Sequence, residues 1–318
     1  MNILMISEND PAGMGIAFTN AINRYTKHRC RLITTAEKYG FDYEKDIHLP
    51  DIVDDDFNEI DQLLRDSDII HFHILADENT ELGPIKVKDH VNGKFVIHHH
   101  HGHPDFRAHP EKYREKYRRL KRKVLVSTPD LLQMVPEAVW QPNLVPVDDP
   151  LMLPESPPVN GSITVGQSVT RKDLKNTQDL LETIAAINSK RPEPLIKPEI
   201  IEDTEYRECL VRKNKCHIVF DHMQGYYGVS SLESLSQGKP VIAGLDDFTI
   251  SQIQDYFGTS DLPWVIARSR KDLENRMEEI SGDLCLLDTL GHQSRRFMVN
   301  FWSDRFVAER LSEFYLKL

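Results

Sequence analysis

The sequence has no apolar run long enough to cross a bilayer, few cysteines and no surplus of basic residues, and each shortage excludes a class of protein. No window approaches the roughly 18 consecutive apolar residues that a spanning helix needs. The start, MNILMISEND, has neither a basic n-region nor a long apolar h-region, so no secretory leader is expected there. The four cysteines, Cys30, Cys209, Cys216 and Cys285, match no zinc-ribbon or CxxC spacing and read as reduced thiols of a cytoplasmic protein. With 39 basic against 50 acidic residues the net charge is -11, which argues against broad nonspecific affinity for nucleic acid. What remains is a 318-residue chain, long enough for two doubly wound domains with a core each.

The most informative stretch is His217 to Gly244, HIVFDHMQGYYGVSSLESLSQGKPVIAG. Ile218-Val219-Phe220 suits a parallel strand covered on both faces, and the run from Lys239 to Ala243 suits the next, with Pro240 at its start. Between them a helix opens near Gly228. Gly225 and Gly228 permit close backbone approach, and the N–H groups of Val229, Ser230 and Ser231 form an anion site at the positive end of the helix dipole. Glu233 lies a turn and a half in, placed to accept from paired hydroxyls such as those of a ribose beside an anchored phosphate.

Upstream, Asn2 to Ile6 reads as a strand, followed by the turn Gly13-Met14-Gly15 and a helix to about Tyr25. The turn offers backbone N–H groups, but lacks the GxGxxG spacing and any Walker lysine. Further strands are expected at Arg31 to Thr35, Asp68 to His73, Phe95 to His98 and Val124 to Val126, with a solvated acidic loop from Asp51 to Asp56. The fourth strand runs into the histidines at 98–101 and His103. Successive strand residues face opposite ways, so this run is not expected to converge on one ion, and metal ligands are expected to be none. His101, beside Gly102 at a strand's carboxyl end, is instead the imidazole expected to line a cleft. The segment 112–123 is the one strongly basic block, on a helix whose apolar face carries Tyr113, Tyr117 and Leu120. It reads either as a solvated face or as a patch for peripheral contact with an anionic membrane or an anionic acceptor.

Six prolines between Pro142 and Gly161 mark a linker. Beyond it a strand at Ser162 to Val165 leads into a loop carrying Arg171, Lys172 and Lys175, a candidate phosphate clamp at a strand's carboxyl end. The chain closes in helices from about Leu284, interrupted near Trp302-Ser303-Asp304.

These parts together resemble the family 4 retaining glycosyltransferases of the GT-B fold. The resemblance rests on the Gly13–Gly15 turn, His71-Phe72-His73, His101-Gly102, Ser127-Thr128-Pro129, Pro142-Asn143, Arg171, Lys175-Asn176-Thr177, the Gly-Tyr-Tyr-Gly-Val-Ser-Ser-Leu-Glu run from Gly225 to Glu233, and Gly-Lys-Pro-Val-Ile. It implies an α/β chain of two Rossmann-like domains facing across a cleft: residues 1–145 on the acceptor side, 146–300 binding the donor, and a helix at 301–318 crossing back to the first domain. It implies a cytoplasmic, metal-independent transferase of carbohydrate biosynthesis that moves a hexosyl group with retention from a nucleoside diphosphate sugar to a saccharide, lipid or other hydroxyl acceptor. The nucleotide sugar is a co-substrate, and no cofactor or nucleic-acid partner is expected. Carried over by motif, Arg171, Lys175 and His101 form the catalytic set, and Gly13, Met14, Gly15, Tyr227, Gly228, Val229, Ser230 and Glu233 bind the donor. One position departs from the pattern. The first of the family's paired glutamates falls on Gly225, so Gln224, Asp221 or backbone groups are left to hold the sugar. The departure keeps two other readings open, a nucleotide-sugar-binding protein without transfer activity and a GT-B-type sugar-nucleotide epimerase. A zinc hydrolase built on the histidines stands further off.

Overall fold

The computed structural model describes residues 1–38, 42–53, 57–157, 161–170 and 172–318. Arg171, the end of the acidic loop at 54–56 and the linker positions 158–160 lie outside the described residues. The chain divides into two compact units, Met1–Leu144 together with Asp304–Leu318, and Val145–Ser303.

In chain order the first unit contains β1 (Asn2–Ser7), α1 (Met14–Tyr25), β2 (Arg29–Thr34), β3 (Ile47–His48), α2 (Phe57–Asp66), β4 (Ile69–His73), β5 (Glu81–Leu82), β6 (Ile85–Lys86), β7 (Phe95–His100), α3 (Pro104–Ala108), α4 (Pro110–Leu120), β8 (Lys123–Val126) and β9 (Val139–Trp140). Seven of these strands form a parallel sheet in the order β3-β2-β1-β4-β7-β8-β9. Its central strands are buried almost throughout because helices cover both faces. Leu4, Ile6, Ile33, Ile70 and Phe72 join Ile60 and Leu64 of α2 in one core cluster. Strand β7 runs two residues past the expected end at His98, because His99 and His100 keep pairing with Leu125 and Val126 of β8. The basic helix is shorter than expected. Lys121 takes a left-handed conformation, φ 54°, that ends α4, and Lys123 already belongs to β8.

The second unit contains β10 (Ile163–Ser168), α5 (Thr177–Ser189), β11 (Ile196–Ile201), α6 (Tyr206–Asn214), β12 (Ile218–Phe220), α7 (Val229–Ser236), β13 (Val241–Ala243), α8 (Asp247–Phe257), β14 (Trp264–Ile266), α9 (Arg270–Gly282) and α10 (Leu284–Phe301). Its five strands are parallel in the order β11-β10-β12-β13-β14. The core joins Val165, Ile218, Phe220 and Ile242 of the sheet to Leu180, Ile184 and Ile187 of α5 and Met277 and Ile280 of α9. Trp302, which ends α10, is fully buried among Tyr227, Phe257, Trp264 and Phe297. After it the chain re-enters the first unit as α11 (Asp304–Tyr315), which packs on α1. Among the described residues no helix is long and apolar enough to cross a membrane.

Candidate functional site

In an open parallel sheet, ligands sit outside the carboxyl ends of the strands where the strand order reverses. In the second unit that point lies between β10, which has β11 on its other side, and β12, which has β13. The groups converging there come from the loop after β10, the residues after β12, and the start of α7.

Asp221 follows β12 directly and is 1% exposed. Its carboxylate accepts from the Gly228 amide at 2.6 Å and the Ser231 hydroxyl at 2.7 Å, and it pairs with Lys175 Nζ at 2.6 Å. Burial alone would raise its pKa, but His222, Lys175 and the Gly228 amide outweigh that and hold the carboxyl well below the usual range. An aspartate of the protein itself therefore occupies part of the anion site expected at the start of α7. The expectation of three free amides also changes, since the Ser231 N–H closes on the Gly228 carbonyl at 3.0 Å. Gly228 is needed for closeness. A Cβ there would stand 3.1 Å from Lys175 Nζ and 3.2 Å from Asp221 Oδ1.

Two further side chains fix this crevice. Gln167, fully buried near the end of β10, donates to the carbonyls of Lys175 (2.6 Å) and Asp221 (3.0 Å), tying the two loops together. Asn176, in a left-handed conformation at φ 53°, accepts from the Met223 amide at 2.9 Å. Val229 and Ser230 form the first turn of α7, and the Ser230 hydroxyl bonds that of Ser168 at 2.7 Å. Glu233 is almost buried, and its Oε2 pairs with Lys213 Nζ, a fully buried ammonium. Burial opposes the charge on Lys213, but Glu233 prevails and raises its pKa. Lys213 was not among the expected residues. Its signal was the spacing Leu210, Lys213, Asn214, which puts the lysine on the buried side of α6.

Gly225 explains its own departure from the paired-glutamate pattern. Its φ is 89°, a region that side-chain-bearing residues rarely adopt, and a Cβ would meet Asp246 Oδ2 at 3.1 Å. The turn is also pinned, with Gly225 bonding to the backbone of Gly244 and Asp246. Tyr227 differs from expectation too: its side chain is 1% exposed, packed against Trp264 and Trp302 as core.

In the first unit the strand order reverses between β1 and β4. Gly13 caps α1 at φ 62°, and a Cβ on it would strike Tyr43 at 2.5 Å. The amides of Gly15 and Ile16 donate to the Asp10 carboxylate, both at 3.0 Å, so here as well an internal aspartate sits on a helix start. Met14, the first residue of α1, is buried. His101 lies just past β7, half-buried, with Nε2 3.0 Å from His73 Nδ1. Burial pulls its pKa down to about 4 against the hydrogen bond to Asn143, so the ring is neutral near pH 7.

Behind His101 the same face of the sheet carries His71 and His73 of β4 and His99 of β7, all buried. His98 and His100 point to the other face, as strand alternation requires. There His98 meets Glu78 at 3.3 Å and His100 meets Tyr117. Burial drives His71 down to about 3 and His73 and His99 well below their ordinary value, the Gln141 backbone working weakly the other way at His99.

The basic helix is in part paired with acids. Lys112 pairs with Asp105, Arg114 with Glu111 and Glu137, Lys116 with Asp77 and Glu78, and Arg122 with Glu78. These pairs offset part of the charge of the block, while Arg118, Arg119, Lys121 and Lys123 remain exposed, as a solvated face requires. Beside the helix opens a pocket of about 590 Å³, lined by Ile74, Asp77, His100, Asp105, Tyr113 and Lys116 among others.

No protein-family profile and no curated protein matches the sequence. Solved structures do match in fold. The chain is similar to HepE of Anabaena in complex with UDP and glucose, at 11% identity and TM-score 0.68 with 99% of each chain covered. It is also similar to an α-glucosyltransferase in complex with UDP-glucose and DNA containing an abasic site, at 14% identity and TM-score 0.65, covering 99% of this chain and 98% of that one. A UDP-GlcNAc 2-epimerase from Neisseria meningitidis bound to UDP-GlcNAc aligns over all of both chains, at 12% identity and TM-score 0.55. The fold class is thus α/β with two Rossmann-like units, of the GT-B type.

Proposed function

We propose that the protein is a retaining glycosyltransferase that takes a hexosyl group from a nucleoside diphosphate sugar and transfers it to an acceptor hydroxyl. The observation that carries this is the switch-point crevice of the second unit, where Lys175, a helix start and a buried carboxylate, Glu233, succeed one another as a diphosphate and a ribose require. Lys175 and the amides of Val229 and Ser230 receive the diphosphate, and Arg171 adds a second cation. As the glycosidic bond breaks, negative charge grows on the leaving diphosphate, and fixed positive groups stabilise it more than they stabilise the ground state. Lys213 holds one oxygen of Glu233 and leaves the other for the ribose hydroxyls. Asp221 holds Lys175 in place, and Gly225 is barred by its backbone from carrying an acid. Gly13 to Gly15 and neutral His101 serve the donor from the first unit, whose pocket beside α4 takes the acceptor.

Incubation with a panel of nucleoside diphosphate sugars, with thermal shift for binding and mass spectrometry for product, tests the reading. A donor that raises the melting temperature and yields glycosylated acceptor with retained configuration supports it. The absence of any donor-dependent shift across the panel overturns it. No divalent ion is required at the diphosphate, so initial rates are expected to be equal with EDTA and with added Mg2+ or Mn2+.

The similarity to the epimerase favours a second reading, in which the donor itself is the substrate. Product analysis without acceptor separates the two: an epimerised sugar nucleotide supports the second reading. Saturable donor binding with neither product would instead identify a binding protein.

A further inference from the structure

The histidine cluster of the first unit is not used by the proposed reaction, apart from His101 at its edge. His73 and His99 stand directly opposite each other in the β4–β7 register, and His71 lies two residues back on the same face. Alternation along one strand excludes convergence of the consecutive run 98–101, but pairing across two strands produces it. The rings of His71 and His73 stack at 4.5 Å, and both lie within 5.4 Å of His99, centre to centre. One ligand-capable nitrogen from each residue lies within 4.8 Å of the other two.

Hydrogen bonding leaves the inner nitrogens available. His71 Nδ1 meets Tyr315 Oη at 2.6 Å, and His73 Nδ1 meets His101 Nε2 at 3.0 Å. With the proton on each Nδ1, both rings donate outward and keep an unprotonated Nε2. Among the described residues neither Nε2 has a hydrogen-bond partner, and His99 makes no well-formed hydrogen bond through either nitrogen. All three side chains are at most 2% exposed. Phe18 of α1 covers His73 and His99, while Tyr315 of α11 closes the His71 side. A hydrogen bond made outward by one ring nitrogen is what metal sites use to fix the tautomer and orientation of a ligating histidine.

We propose that His71, His73 and His99 form a buried site for a divalent first-row transition ion of the zinc class, with Tyr315 and His101 as the outer partners that orient His71 and His73. The donor set selects the ion. Three imidazoles suit Zn2+, Co2+, Ni2+ or Cu2+, whereas Mg2+ and Ca2+ demand oxygen ligands. Zn–N bonds of about 2.0–2.1 Å place tetrahedral donors about 3.3 Å apart, so on binding the stacked rings turn about their side-chain torsions to bring the three nitrogens from within 4.8 Å to that spacing. The fourth position is left to water or hydroxide. No transfer step runs through this ion. It ties the two central strands of the sheet to each other under the two helices that cover them, and its expected effect is on stability.

The test uses the full chain, stripped with a strong chelator and reloaded with Zn2+ or Co2+ alone. Expected are a single ion per chain retained through gel filtration, tetrahedral visible bands with Co2+, imidazole scattering in X-ray absorption and a raised melting temperature. His99→Asn and His73→Asn, checked for folding by circular dichroism, are expected to lower affinity by about tenfold or more. His292→Asn, on the exposed surface of α10, is the control and is expected to retain the ion. Wild-type protein that takes up less than about one-tenth equivalent, with no Co2+ bands, overturns the site without reference to any variant. Undiminished binding in both His73→Asn and His99→Asn overturns it as well.

Discussion

Lys175 Nζ stands 2.6 Å from Asp221 Oδ1, so the cation offered by the loop after β10 is already matched to the carboxylate offered by β12. The crevice is charged and internally balanced before any ligand arrives. In the proposed reaction, an entering diphosphate would compete with Asp221 for Lys175.

The first prediction follows from that pairing. Lys175→Ala is expected to lower the transfer rate by about 10²-fold or more, because the leaving diphosphate loses a fixed cation. Asp221→Ala is expected to lower stability instead, by about 3–5 kcal/mol, since the buried carboxylate is the partner of Lys175 and of the Gly228 amide. Steady-state kinetics and denaturant melts read the two effects separately. Unchanged turnover in Lys175→Ala would remove it from the clamp.

The second concerns Lys213 and Glu233. Lys213→Met strands a carboxylate in a buried setting and is expected to cost about 3–5 kcal/mol of stability. Adding Glu233→Leu to the same chain is expected to recover most of that loss, because an apolar pair can replace a buried ion pair. Glu233→Leu alone also removes the proposed ribose ligand, so nucleoside diphosphate affinity should fall. A double variant no more stable than Lys213→Met contradicts the pairing.

The third is a pH dependence. Burial pulls Lys239 down to about 8, while its ammonium donates to the Glu155 carbonyl at 2.5 Å. The unfolded chain keeps the ordinary higher value, so between about pH 8 and 10.5 the unfolded state binds the extra proton. Stability contributed by this group therefore rises with pH across that window. Relative to Lys239→Met, wild-type unfolding free energy is expected to climb by about 1.4 kcal/mol per unit of pKa depression. Parallel pH profiles for the two proteins would refute the assignment.

The fourth uses the cysteines. Cys30 and Cys216 are buried, and burial pushes both thiols up to about 12. Cys285 is exposed. A thiol reagent at neutral pH is expected to modify Cys285 rapidly and to reach Cys30 and Cys216 only on unfolding. Fast labelling of Cys30 in native protein would mean that β2 is not packed as described.

The alternation of strands and helices was readable because parallel strands covered on both faces are short apolar runs, as in Ile218-Val219-Phe220. The break at Trp302-Ser303-Asp304 was readable for a related reason: an aromatic followed by capping residues interrupts a helical pattern. Individual contacts were much less legible. Asp10 and Asp221 reach helix starts 5 and 7 residues away through loops whose path no spacing rule encodes. Lys213 has its partner 20 residues further on, a distance no local pattern announces. The pairing of acids with 112–122 was hidden because Asp77, Glu78 and Glu137 come from other parts of the chain. The histidines show the limit most clearly. Read along one strand they diverge, and only the register of β4 against β7 brings His71, His73 and His99 together.

The return of α11 to the first unit has a consequence for how the protein is made. Tyr315, which meets His71 beside the central strands of the first sheet, is synthesised only after Val145–Ser303. At about 5–20 residues per second, those 159 residues take on the order of ten seconds or more. The amino-terminal unit is thus the first to be synthesised and the last to be completed. During that interval α1 lacks its packing partner.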